Sequence, residues 1–500
     1  MMRRRSFLKC AVPGALTLGL RGIGLAAASP TGVAGANDDV RLAVVGIGSA
    51  EAKGGVGGRG RQLISALRKV SGARIVALCD VDQRILARQV MELNVQGQSV
   101  AVYGDLRRVF DSKEVDAVIV ATPNHWHALA TVWACQAGKD VYVEKPFSYN
   151  LWEGRQMVAA ARKYGRMVQL GTQSRSSTLL RQAFDYLRSG QVGAIRYAHA
   201  VIYRARDGIG TVSAPTPVPA TVDYDLWCGP APKGPLMRRQ LHYEWHWFWA
   251  TGNGEMGNNG VHDIDICRWA LGQNQPAPRA ISIGGRLGFN DCGETANTHI
   301  ALFDYHPAPI ICEIRNLRVA PGADAMSKFK NRNKGVIIEC EGGYFAGDAS
   351  GGAVFDNQDK KIKDMPDDGS YKTLETTHLA NFVAAVRSRK AGDLAAEALQ
   401  GHCSTACCHM ANVSHRIGKQ SPPEAIRPTI EASRELSDAF DRCREYLREN
   451  GVDLGATPAT LGPWVTFDPK QERFVGEFAD AATNLSRRQY RKPFVVPNLA

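Results

Sequence analysis

The first third of the chain is governed by one succession: strand, glycine-rich loop, helix, strand. Val40 to Ile47 (VRLAVVGI) is a continuous apolar, β-branched run, the pattern of a strand buried on both faces. It leads into GIGSAEAKGGVGGRGRQL and an amphipathic helix from about Arg61 to Val70. Arg74 to Asp80 (RIVALCD) reads as a second strand, Tyr103 to Asp111 as a short connecting helix, and Asp116 to Ala121 as a third strand. Buried strands in a β-α-β-α-β order form a doubly wound parallel sheet. Ligands of such a sheet bind beyond the carboxyl ends of its strands, so the residues that end each strand are the first candidates for chemistry.

Two glycine patterns compete after the first strand. Gly46-Ile47-Gly48 follows it directly, but Glu51 stands where a third glycine would complete GxGxxG. Gly55-Val56-Gly57-Gly58-Arg59-Gly60 is complete and opens the helix. An insertion of about nine residues between strand and helix reconciles the two. Glycine lets backbone N–H groups at a helix N-terminus approach a pyrophosphate, which makes Gly46, Gly48, Gly57, Gly58, Arg59 and Gly60 candidate dinucleotide contacts. Asp80 ends the second strand 20 residues after Gly60. A carboxylate there holds a ribose 2′-OH and favours NAD over NADP. Asp82 is an alternative acid, and Arg84 or Arg59 would shift the preference toward NADP.

The stretch DAVIVATPNHWHALATVWACQAGKDVYVEKPFSYN repeats the logic at the next two strands. The third strand stops at Thr122-Pro123-Asn124, a helix from His127 ends at Gly138, and Val141 to Val143 is the fourth strand. Glu144 and Lys145 lie just past its end. A lysine there, fixed by the following Pro146, is placed to act as an acid or base; the bland alternative is a solvated ion pair. Gly171-Thr172-Gln173 ends a further strand, Met167 to Leu170, and adds Gln173 to the cofactor candidates.

The pattern then changes. Strand candidates at 197–203, 281–285, 299–305, 310–316 and 335–340 lie close together with few helices between them, which predicts an α+β second domain on an open, largely antiparallel sheet. The expected division is 1–36 leader, 37–170 dinucleotide domain, 171–420 substrate and oligomerisation domain, and 421–500 an extension around one helix that wraps the body. Within HYEWHWFWATGNGEMGNNGVHDIDICRWALG, Asn258 and His262 are four apart, and an imidazole beside a lysine suits proton shuttling. Trp245, Trp247 and Trp249 alternate, so on a strand they share one face, either stacking on sugar C–H surfaces or filling core. His242 and His246 have metal-ligand spacing, but the helix of an HExxH site is missing, and no metal is expected.

The N-terminus is distinct. Arg4-Arg5-x-Phe7-Leu8-Lys9 precedes a mildly apolar stretch and small-residue cleavage options, a pattern like a twin-arginine export signal and so a periplasmic destination. Residues 1–36 carry five cationic side chains and no acid, so the formal charge of +12 falls to about +7 in the mature chain (12 − 5). That charge is spread out, with no basic stripe for nucleic acid, and it weakly favours anionic or acidic-sugar ligands. No apolar run beyond the leader is long enough to span a bilayer. The 12 cysteines lack any CxxC and read mostly as buried thiols.

Taken together, the glycine loop, ATPNHWH (121–127), EKP (144–146) and GNNGVHDID (257–265) followed by Arg268-Trp269 resemble the Gfo/Idh/MocA oxidoreductase family over about Val40 to Gly418. The resemblance implies a Rossmann domain, a C-terminal α/β domain that often builds a dimer or tetramer, a tightly bound NAD (or NADP), Lys145 as the central catalytic residue and His262 as its acid/base partner. Asn258 departs from the Asp common in sugar-alcohol dehydrogenases of the family. Three functions follow: oxidation of a sugar or polyol hydroxyl; glycoside hydrolysis through transient oxidation and elimination; or sugar binding without turnover.

Overall fold

The computed structural model describes residues 39–49 and 57–500, so the leader and the Gly55–Val56 part of the loop lie outside the described residues. The first sheet holds β1 (Val40–Val45), β2 (Ala73–Cys79), β3 (Ala101–Tyr103), β4 (Ala117–Val120), β5 (Asp140–Val143) and β6 (Val168–Leu170). All pairs are parallel, in the order β3-β2-β1-β4-β5-β6. The winding reverses between β1 and β4, and the crevice for a ligand opens at their carboxyl ends. β1 shows why its residues are apolar throughout. Leu42 and Val44 enter one buried cluster with Leu63 and Ile64 of the helix Arg59–Leu67, while Ala43 and Val45 enter another with Val118 and Val120. Leu379, Phe382 and Val386 of the helix Leu374–Ser388 close the first cluster, and Phe494 and Val496 of the C-terminal tail join the second.

The second sheet comprises β7 (Ile195–Tyr203), β8 (Arg279–Gly285), β9 (Thr298–Phe303), β10 (Ile310–Arg315), β11 (Lys334–Cys340), β12 (Gly343–Asp348), β13 (Gly351–Asp356) and β14 (Lys361–Pro366). Short strands β15 (Lys419–Ser421), β16 (Ala459–Leu461), β17 (Val465–Asp468) and β18 (Arg473–Val475) extend it. The order is β14-β13-β12-β11-β7-β10-β9-β8-β16-β15, with β17 joining β8 to β18. Only β7 and β10 pair in parallel; the sheet is otherwise antiparallel. The sequence pattern misses β12 to β14 because the segment is rich in glycine and its last strand is mostly exposed, so neither β-propensity nor alternation marks it. The C-terminal extension likewise holds three helices, Pro423–Ile430, Arg434–Glu449 and Ala479–Ser486, rather than one.

One face of this sheet packs on the helices Thr178–Arg188, Val261–Ala270 and Ala398–Ile417. Over β8 to β10 the other face packs on the helices Pro423–Ile430 and Arg434–Glu449, through Ile426, Ile430, Leu436, Phe440 and Tyr446. The chain's own C-terminal helices therefore occupy part of the surface that the resemblance associates with oligomers. A buried charge cluster pins them: Glu313 on β10 accepts from Tyr203 Oη, from Arg315 at 2.8 Å and from Arg442 of the long helix at 2.5 Å, with His199 Nε2 at 3.2 Å. Burial alone would raise the Glu313 pKa, but His199, Arg315 and Arg442 hold it well below the usual carboxylate range. All 11 described cysteines are free, so no disulfide among the described residues shares this task. Glu313→Gln leaves buried cations uncompensated and should lower stability by about 3–5 kcal/mol. A denaturant midpoint unchanged from wild type would contradict that role.

Candidate active-site cleft

The cleft, about 410 Å³, runs from the carboxyl ends of β1, β2 and β4 to the segment after β7. At its floor Gly46 and Gly48 have φ of +85° and +82°. A Cβ on Gly46 would lie 2.7 Å from Thr122 N, one on Gly48 2.0 Å from Gly57 O, and one on Gly60 2.0 Å from Gly46 O. These three glycines therefore make the turn, the open cradle and the helix–strand contact of a dinucleotide loop, with the extra residues inserted between the second and third. Gly57 lines the cleft, and Gly58 caps the helix Arg59–Leu67 with no side-chain bond; Arg61 N–H donates to Ile47 O at 3.1 Å, which leaves the Arg59 and Gly60 N–H groups to an anion. The backbone cradle, open helix end and crevice fit a nicotinamide dinucleotide.

The acids after β2 divide their work. Asp80 Oδ2 accepts from Ile47 N–H at 2.8 Å and Gly48 N–H at 3.5 Å, while Oδ1 accepts from Asp82 N–H at 3.0 Å. Burial raises the Asp80 pKa, opposed by these amides and by His242. Asp80 lines the cleft and also holds the glycine loop in shape. Asp82 caps the helix Gln83–Val95 through Arg84 N–H and takes His242 Nε2 at 2.9 Å, so it is occupied elsewhere. Arg59 donates to Glu144 Oε1 at 2.8 Å and pairs with Glu375, which removes it as a free phosphate ligand.

Lys145 is the centre of the opposite wall. Its Nζ donates to the backbone oxygen of Asn258 at 2.8 Å and to Asn258 Oδ1 at 2.9 Å. Burial lowers its pKa to about 8, against the attraction of Glu144. Burial works to raise the Glu144 pKa, but Arg59 and Lys145 outweigh it and keep the carboxylate ionised. An ammonium has three N–H donors, so the two bonds to Asn258 leave one for a ligand oxygen. Asn258 itself lies in a π-helical turn, Met256–Gly260, that precedes the helix Val261–Ala270. The simple four-residue spacing to His262 is thus broken by a wider turn, of the kind often found at functional sites.

Thr122, Pro123 and Asn124 line the cleft, and Asn124 Nδ2 donates to Asn253 Oδ1 at 2.8 Å. Other predicted positions are tied to the protein's own groups. His127 sits between Pro146 O (2.7 Å) and Thr122 O (2.8 Å), buried, and braces the two loops; a neutral ring donates to one of them. Gln173 Nε2 donates to Tyr142 Oη at 3.4 Å, behind Glu144. His262 is not among the lining residues; burial first, then the Lys145 charge, lowers its pKa to about 3, so it is neutral. Asp265 and Arg268 of the same motif are structural: Asp265 takes Arg175 at 2.7 Å and Ser404 at 2.6 Å, and Arg268 donates to Ser404 at 2.6 Å.

The tryptophan row is corrected outright. Leu241–Glu244 is a helix and Trp245–Trp247 a 3₁₀ turn, so alternate residues do not share a face. Trp245 lines the cleft and stacks on His246 with ring centroids 3.6 Å apart. Trp247 is buried beneath Arg206 (5.7 Å), and Trp249 lies by Arg416 (5.1 Å). The sequence reading missed His246, Tyr243, Arg204, Arg206, Trp227 and Asn259, all of which line the cleft. His246 Nδ1 bonds to Tyr243 O at 2.7 Å, so that nitrogen carries the proton and Nε2 is left as an acceptor. Burial lowers its pKa to about 3, helped by Lys145. WHWFW marked the segment, but no local rule singles out its histidine.

Two family models match the chain in order: the oxidoreductase family's NAD-binding Rossmann fold over residues 40–172 and its C-terminal α/β domain over 207–311. Among curated proteins, a glycosyl hydrolase family 109 protein 2 of Shewanella sp. (strain ANA-3) is 33% identical over 121 residues, 23% of this chain and 25% of that protein. An inositol 2-dehydrogenase of Salmonella typhimurium (strain LT2) is 31% identical over 137 residues, 27% of this chain and 40% of that one. The matches thus span well under half the length of these relatives. The fold is shared with the WlbA dehydrogenase of Bordetella pertussis, solved with NADH and UDP-GlcNAcA, at a TM-score of 0.54 and 18% identity, covering 76% of this chain and 96% of that one.

The lowered pKa of Lys145 makes a pH prediction. The neutral amine gains population as pH rises through about 8, so a step that uses it as a base should speed up through that range. Asn258→Asp would add an opposite charge at the ammonium and move the inflection upward by about one unit or more. A pH–rate profile with the same inflection in both proteins would remove Lys145 as the titrating group.

Proposed function

We infer, for a chain that belongs to the Gfo/Idh/MocA oxidoreductase family through both its NAD-binding and its C-terminal α/β domain, that it oxidises a hydroxyl of a sugar, polyol or sugar derivative. The observation that carries this is Lys145: a half-buried amine of lowered pKa, with one open donor, facing the same cleft as the glycine cradle. Gly46, Gly48, Gly57, the first turn at Gly58–Gly60 and Asp80 would hold the dinucleotide. When bound it supplies the hydride acceptor. Lys145 in its neutral form takes the hydroxyl proton, and the resulting ammonium stabilises alkoxide character on the same oxygen. Asn258 fixes the amine, and His246 Nε2 offers a second acceptor on the cleft wall. Asp80 together with the occupied Arg59 favours NAD over NADP.

Tight retention of the dinucleotide is supported by a strap. Residues 207–250 cross the carboxyl ends of the first sheet: Gln83 N–H bonds to Thr221 O (3.0 Å), Asp223 N–H to Val81 O (3.0 Å), and His242 to Asp82. Leu226 and Trp227 of this strap line the cleft beside Trp126, and the tail locks it, with Arg491 on Asp225 (2.8 Å) and Phe494 against Trp126 (5.5 Å). A retained dinucleotide suits export in the folded state, and we read the leader as directing that export to the periplasm. A homo-oligomer remains part of the proposal, through a surface other than the β8–β10 face.

A second reading is the NAD-dependent glycosidase, favoured by Asn258 in place of Asp beside Lys145. The Shewanella relative's name adds weight over its matched 121 residues.

Denaturing the purified protein should release a nicotinamide dinucleotide. Sugars added to the native protein should raise its reduced-nicotinamide absorbance, whereas aglycone release over many turnovers without net reduction would select the glycosidase. Lys145→Ala should cut either turnover by about 10²–10³-fold or more while dinucleotide stays bound; full activity would sink the assignment. Trp227→Ala should speed dinucleotide loss in dialysis, and an unchanged rate would refute retention by the strap.

A further inference from the structure

The substrate wall of the cleft carries a charge that the protein does not neutralise. Arg204 and Arg206 leave the end of β7 together, and both line the cleft with Lys145, Asn258 and Asn259. Arg206 is committed: it reaches Glu255 at 3.0 Å, donates to Tyr243 Oη at 3.0 Å and lies over Trp247. Glu255 is saturated in turn, accepting from Arg206 Nε and Nη2, from Asn258 Nδ2 at 3.3 Å and from Asn259 Nδ2. A carboxylate has about four lone-pair sites, so none is left for a second arginine.

Arg204 has no carboxylate partner among the described residues. Its one side-chain bond is a long one, 3.3 Å, from Nη1 to Asn259 Oδ1, and the side chain is exposed. The next acid along the chain, Asp207, faces Arg318 at 3.5 Å. On the dinucleotide side the balance is reversed: Arg59 stands between Glu144 and Glu375, and Asp80 adds a further carboxylate at the end of β2. Among the described cleft residues, Lys145 and Arg204 on the substrate wall are thus the lysine and arginine without a carboxylate in ion-pair contact. Lys145 has a single donor left and is aimed by Asn258, whereas Arg204 presents most of a planar five-donor fork.

We propose that Arg204, aimed by Asn259, is an anion subsite and that the substrate is an acidic sugar whose carboxylate or phosphate it binds while a hydroxyl of the same ring meets Lys145. The planar fork matches a carboxylate in two parallel bonds, so a hexuronic acid is the first choice over a sugar phosphate. The proposal rests on the sugar-oxidising reading for its reaction, but not for its binding step.

The test uses the holo-protein and its Arg204→Gln and Arg204→Lys variants, each first checked for retained dinucleotide. Glucuronate, galacturonate, glucose 6-phosphate and glucose are compared by initial rate and, separately, by calorimetric binding at two salt concentrations. Wild type should favour a uronate over glucose by about tenfold or more in kcat/KM. Arg204→Gln should erase that ratio by about 10–100-fold, through KM rather than kcat, with Arg204→Lys between. Preference for the phosphate with the same Arg204 dependence keeps the subsite and changes the substrate's anion. Uronate binding that needs Arg204 without turnover keeps the subsite and overturns the reaction. Preference for glucose, equal losses for charged and neutral sugars in Arg204→Gln, or no binding of either anion overturns the subsite.

Discussion

The constraint on which this molecule turns is the partial burial of one ammonium at the seam of two sheets. Lys145 is delivered by the end of β5 in the first sheet, and its partner Asn258 by the π-helical turn that leads onto the second. A lone buried cation is costly, and neutral oxygens compensate it less fully than a carboxylate would. The result is an amine whose pKa is displaced toward neutrality while its position is fixed. Glu144 sits next to it, yet that carboxylate is also paired with Arg59. The local charges are thus arranged to leave Lys145 poised between its two protonation states.

Around that seam the chain spends much of its length on rigidity. The helix Ala398–Ile417 packs on β8 and on the helix Val261–Ala270, and Ser404 within it bonds both Asp265 and Arg268. Phe147 N–H, two residues beyond Lys145, donates to Thr405 of the same helix at 3.0 Å. His127 braces the β4 loop against Pro146. Burying these polar groups is tolerable because most of them find partners. Their value lies in holding the β5 loop and the π turn within bonding distance.

The strap and tail add a second layer. Hydrogen bonds from the strap to the ends of β2, with Trp126 packed on Phe494 and donating to Trp227 O, enclose the end of the cleft away from Lys145. Fully burying one aromatic ring contributes about 1.5–3 kcal/mol, so a few such contacts are enough to hold a short segment closed. The C-terminal tail thereby connects the last residues of the chain to the crevice opened by the first strand. Closure of this kind favours a cofactor that stays and a substrate that enters beside Arg204.

What the sequence determined by itself was the part written in local chemistry. Continuous apolar runs such as VRLAVVGI marked strands buried on both faces, and glycine pairs at Gly46–Gly48 with Gly60 marked a loop that approaches phosphate, because both patterns are short-range consequences of burial and of a missing Cβ. Lys145 was legible for the same reason, standing just past a strand's carboxyl end. Only the tertiary structure decided which polar side chains share the cleft. The tryptophans lost their common face because the segment coils instead of extending. Arg204 and Arg206 entered from a segment with no local mark, and nothing local singled out Tyr243 or His246 for the cleft within theirs. Their neighbours are set by pairing across the second sheet and by the strap, and contacts between distant segments leave no period or spacing in the chain that makes them.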